Sequence, residues 1–137
     1  MRPNAAERYG TGSIAGVRGL FILPDEWATP EGCTFTPGGA TNAAERWTLN
    51  TFTAQQWALM EAAGAAFLPV TGTRTGTVWT DGVTVNGCYW TSTYISSSNY
   101  LYAYVLQTLS SMGIQFEGPS YNQAYAVRPV QYYNVVE

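Results

Sequence analysis

The chain has 137 residues, 46% of them apolar and 11% charged, with a net charge of −3 and six arginines as its only cations. That length suits one domain with a real hydrophobic core, while the lack of a basic patch removes the electrostatic source of phosphate-backbone binding and excludes nucleic acid as a partner. No apolar run approaches the roughly 20 residues a membrane helix needs, so no membrane insertion is expected, and Met1-Arg2-Pro3-Asn4 carries no apolar signal-peptide segment.

Residues 1–18 contain Gly, Ala and Arg without clear periodicity and read as a loop entering the domain. Gly19-Leu20-Phe21-Ile22-Leu23-Pro24 is a short apolar run closed by proline, which predicts a buried strand. Pro30-Glu31-Gly32 and Pro37-Gly38-Gly39 are turn chemistry, so 28–42 reads as a long irregular loop. Thr53 and Gln56 have capping-box spacing, and Trp57, Leu59, Met60 and Ala63 supply an apolar side. With Gly64 as a left-handed terminator, they predict a helix over about 54–63.

Ala65 to Val70 repeats the short apolar run ending in proline and reads as a second buried strand. Four glycines between Thr71 and Gly87 suggest loops with short strand pieces. Tyr89 to Thr93 predicts a strand, and 94–99 a loop. From Tyr100, period-two alternation sets Tyr100, Tyr102 and Tyr104 on one side, with Leu101, Ala103 and Val105 on the other. The aliphatics suit the core, which leaves the tyrosines facing outward. Gly113 to Glu117 reads as a partner strand and Ala124 to Val130 as a closing one. The fold class is therefore α+β, mostly antiparallel sheet, with one clear helix and long loops.

Between Gly82 and Phe116 there is no charged side chain, and Tyr, Ser, Thr, Asn and Gly predominate. Tyrosine supplies rigid contact area, and the small polar residues supply adaptable hydrogen bonds, as in binding surfaces. Seven of the ten tyrosines fall between 89 and 125, which favours contact residues over ordinary cross-strand aromatics. The five tryptophans read as core anchors.

Four ordered segments resemble one family: Gly19 to Trp27 (GLFILPDEW), Thr53 to Pro69 (TAQQWALMEAAGAAFLP), Gly87 to Thr93 (GCYWTST) and Tyr125 to Val130 (YAVRPV). They are similar to motifs of the C-type-lectin-like fold in the branch shared with formylglycine-generating enzymes. That branch is common in surface proteins of Bacteroides-type gut bacteria and their phages. The resemblance runs from about 16 to 130 and implies a single domain over 1–137, with the family's usual upstream helix absent. It also extends to the variable proteins of diversity-generating retroelements, where adenine-directed mutagenesis rewrites Asn codons between the second pair of motifs. Tyr94, Ile95, Ser96, Ser98, Asn99, Tyr100, Tyr102, Tyr104, Tyr121, Asn122 and Tyr125 fit the products of such rewriting, and the resemblance makes them the candidate ligand-binding residues. The oxidase members' pair of C-terminal cysteines and the lectins' calcium motifs have no counterpart here.

No catalytic constellation emerges. Asp25 and Glu26 are adjacent at a strand end, where neighbouring side chains point apart, and the sequence offers no His, Lys or second carboxylate cluster to make them an acid pair. Ser96-Ser97-Ser98 has no base to activate a nucleophile, and Thr71 to Gly76 lacks the lysine of a P-loop. Arg128, alone in a neutral region, reads as structural. Cys33 and Cys88 are either one disulfide or two buried thiols, and with no histidine they make no ordinary zinc site unless carboxylates complete it.

The expectation is a non-enzymatic receptor-recognition domain without cofactor or metal. It would meet a protein or glycan partner at a cell or virion surface, outside the cytoplasm. The alternative is a structural surface, pilus or virion module that uses the same face to form a homo-oligomer.

Overall fold

The computed structural model describes residues 8–38, 45–80, 87–97, 100–109, 113–117 and 123–127. For 79–80, 92–97, 100–105, 107–109, 113–117 and 123–124 it describes the backbone alone. The chain is α+β, with eleven elements among the described residues.

Strands β1 (Tyr9–Ile14) and β2 (Val17–Ile22) form an antiparallel hairpin with Ile14 opposite Val17. Its two turn residues, Ala15 and Gly16, both have positive φ, 48° and 85°. Two positive φ values give the primed turn whose twist matches that of the flanking strands. The expected loop over 1–18 is thus corrected, because 9–14 form a full strand. Glycine content hid it, although the glycines are there for close packing: a Cβ on Gly12 would sit 1.9 Å from the Asn50 carbonyl oxygen.

Strand β3 (Asn50–Phe52) joins β1 in parallel, and β4 (Ala66–Pro69) joins β2 antiparallel, giving the order β3-β1-β2-β4. Helix α1 (Ala54–Ala62) connects the two edges. Its capping box is formed on both sides: Gln56 N–H donates to Thr53 Oγ1 at 3.2 Å, and Thr53 N–H donates to Gln56 Oε1 at 3.0 Å. Gly64, at φ 96°, ends it as expected.

Both faces of β2 are covered. Phe21 is fully buried in a cluster with Leu23, Phe52, Met60 and Ala65, ringed by Phe67, Phe52, Trp57 and Phe35 at centroid distances of 4.8, 5.2, 5.7 and 6.1 Å. Its neighbour Leu20, on the other face, packs with Leu68 and Tyr89. A strand buried on two sides needs consecutive apolar residues rather than alternation, which is what 19–23 supply.

The remaining strands make two smaller sheets. β5 (Thr73–Thr75) pairs with β6 (Val78–Thr80), while β7 (Gly87–Ser97), β8 (Tyr100–Leu109) and β9 (Gly113–Glu117) form an antiparallel meander. β10 (Gln123–Ala124) pairs with β5. Two expectations change: 94–97 belong to β7 rather than to a loop, and within 123–127 the closing strand is represented by β10 plus one bridge at Ala126. Residues 98–99 and 128–130 lie outside the described residues. No disulfide forms. Cys33 is a half-buried thiol, 3.7 Å from the Gln56 carbonyl, and Cys88 is a buried thiol in β7.

Candidate functional site

The β7–β8 hairpin carries most of the sequence-predicted contact residues. At its inner end Cys88 pairs with Gln107, Tyr89 with Leu106 and Trp90 with Val105. The register then slips: three residues, Thr91 to Thr93, stand against Tyr104 alone before Tyr94 meets Ala103. Beyond the slip Ile95 faces Tyr102, Ser96 faces Leu101 and Ser97 faces Tyr100. Backbone pairing therefore brings Tyr94, Ile95, Ser96, Tyr100, Tyr102 and Tyr104 into one two-stranded segment. Their side chains lie outside the described residues, as do Ser98, Asn99, Tyr121 and Asn122 altogether.

The inner end is firmly held. Tyr89 is buried, and its hydroxyl donates to the Pro69 carbonyl at 2.6 Å, which ties β7 to the end of β4. Trp90 N–H donates to the Ala126 carbonyl at 2.9 Å, and Ala126 N–H donates to the Cys88 carbonyl at 3.1 Å. Tyr125, a predicted contact residue, packs edge-on against the Trp90 ring, with centroids 5.0 Å apart and planes at 70°. Such a pair contributes about 0.5–1.5 kcal/mol beyond area burial. Both rings are half-buried, and their contact joins the 123–127 stretch to β7.

Leu106 packs on Leu20, Leu68 and Tyr89. The expectation assigned the core side of β8 to Leu101, Ala103 and Val105, but the described core contact comes from an even position, the parity of the three tyrosines. Next to it an apolar cleft of about 330 Å³ is lined by Ile22, Ala66, Leu68, Tyr89, Trp90, Thr91 and Leu106.

Elsewhere, Asp25 and Glu26 are exposed after the end of β2. Arg46 is buried with its guanidinium 5.4 Å from the Trp47 ring centroid, and burial pushes its pKa below the ordinary arginine value. Sequence reasoning passed over a mixed cleft built from Arg8, Leu23, Trp27 and Phe35. No sequence signal marks it, because hairpin pairing alone brings residue 8 beside residues 23–24. No helix among the described residues is long and apolar enough to cross a membrane. No protein-family profile, curated protein or solved structure matches the chain.

Proposed function

We propose that this chain is a non-enzymatic binding domain with a C-type-lectin-like fold, of the kind diversified by retroelements. Its contact surface is the outer part of the β7–β8 hairpin, and its partner is a protein or glycan displayed outside the cytoplasm. One observation carries the reading: the pairing of Ile95 with Tyr102 and of Ser97 with Tyr100, outboard of a tightly anchored Tyr89–Trp90–Leu106 base. A fixed base with a Tyr/Ser-rich extension is the division of labour expected of a surface that must vary without unfolding its scaffold.

Because Leu106 shares the parity of Tyr104, Tyr102 and Tyr100, the reading requires the hairpin to turn away from the first sheet past residue 90. The extra residues at 91–93 supply a device for this, since bulges bend a strand and increase its twist. The test is a display library randomised at 94–96, 100, 102 and 104, sorted for protease resistance. Most variants should stay folded, and the protein should be monomeric by light scattering. Loss of folding as frequent as at Tyr89 and Trp90 would place these residues in the core and end the proposal. A symmetric oligomer that buries the hairpin would favour self-assembly instead.

A further inference from the structure

A separate cleft of about 310 Å³ opens beside the irregular segment after β2, lined by Arg8, Leu23, Trp27, Thr29, Phe35 and Pro37. The residue preceding β1 and the residue following β2 are brought together by backbone pairing: Leu23 N–H donates to the Arg8 carbonyl at 2.8 Å. Trp27 and Phe35 also pack against the Phe21 cluster, so the aromatic walls are backed by core. The segment is pinned further along as well, by Thr36 N–H donating to Asn50 Oδ1 at 2.8 Å.

Arg8 is half-buried at this cleft, and its Nη1 donates to the Pro24 carbonyl. Among the described residues it has no carboxylate partner. Asp25 and Glu26 follow directly but are exposed and do not line the cleft. A guanidinium has five N–H donors in a planar fork, so one bond to a carbonyl leaves most of them unspent. The Trp27 indole N–H is already used, donating to Thr29 Oγ1 at 3.1 Å. That bond fixes the ring and leaves the threonine hydroxyl free to donate its own proton.

One charged fork and one hydroxyl beside two aromatic walls describe a particular ligand chemistry. The guanidinium takes a planar carboxylate through paired charge-assisted hydrogen bonds, and the aromatic walls take an apolar ring by face or edge contact. The volume lies at the small end of the range for small-molecule sites. We propose that this cleft binds a small carboxylic acid carrying an apolar ring, with the carboxylate on Arg8 and the ring against Trp27 and Phe35. The inference is independent of the hairpin reading, since the two share no residue.

The test uses benzoate and its uncharged isostere benzamide as probes, with the Trp27 indole N–H resonance (assigned through Trp27→Phe) as the readout. Benzoate should shift that resonance saturably and bind at least about tenfold more tightly than benzamide, the factor a charge-assisted pair supplies. Arg8→Gln should remove the preference. Equal affinity for the two probes, or no shift with benzoate at millimolar concentration, overturns the assignment. If Arg8→Gln fails to fold, the benzoate–benzamide comparison on the unaltered chain still decides.

Discussion

Asn50 is the side chain whose loss tests most directly how the scaffold is held together. It is 3% exposed and joins three segments. Its Nδ2 donates to the Thr11 carbonyl at 3.0 Å and to the Thr36 carbonyl at 2.9 Å, while Oδ1 accepts from Thr36 N–H at 2.8 Å. In Asn50→Ala the Thr36 groups, on an exposed residue, can turn to water, so each lost bond costs about 1 kcal/mol. Thr11 is 1% exposed, and its carbonyl loses a buried donor, at a cost of about 1–3 kcal/mol. The sum is about 3–5 kcal/mol, which for a chain of this size lowers Tm by roughly 10–20 °C.

Thermal denaturation followed by circular dichroism measures this directly. Asn50→Asp should be at least as harmful at neutral pH, because a carboxylate oxygen would then face two carbonyls. Protonation relieves that repulsion, so the gap to the unaltered chain should narrow as pH falls. An Asn50→Ala variant within about 1 kcal/mol of the unaltered chain would refute the accounting.

Three further outcomes follow from the packing. Phe21→Ala empties the centre of a five-ring cluster and should cost about 3–5 kcal/mol by urea denaturation. Thr53→Ala removes one half of the capping box and should cost about 1 kcal/mol, partly restored by Thr53→Ser. Gly12→Ala drives a methyl group to within 1.9 Å of the Asn50 carbonyl oxygen, so its expression should yield little folded protein. A well-folded, near-normal melt for that variant contradicts the close approach of β1 to β3.

The sequence revealed those elements whose signals are local. The Thr53/Gln56 pair announced α1, and the runs before Pro24 and Pro69 announced β2 and β4 because both-face burial leaves a continuous apolar string. The alternation after Tyr100 announced β8. What stayed hidden depends on tertiary partners. β1 reads as loop because its glycines let β3 come close, and β3 is three residues long, too short for any periodicity. Tyr94 to Ser97 resemble loop by their serines and extend β7 only because β8 lies opposite them. Of the predicted contact residues, pairing brings six into the outer hairpin, and the packing of Tyr125 on Trp90 could not be read because the two rings are distant in sequence. The Arg8 cleft was invisible for the same reason.

The short stretch 123–127 crosses between two sheets. Gln123 and Ala124 run antiparallel to β5, and Ala126 then bonds alongside Tyr89 in the parallel sense. Synthesis must therefore run from β7 through residue 126 before β7 gains this neighbour. Such sequence-distant closure favours slow folding, and until then this flank of β7 at Tyr89 stays open to stray pairing.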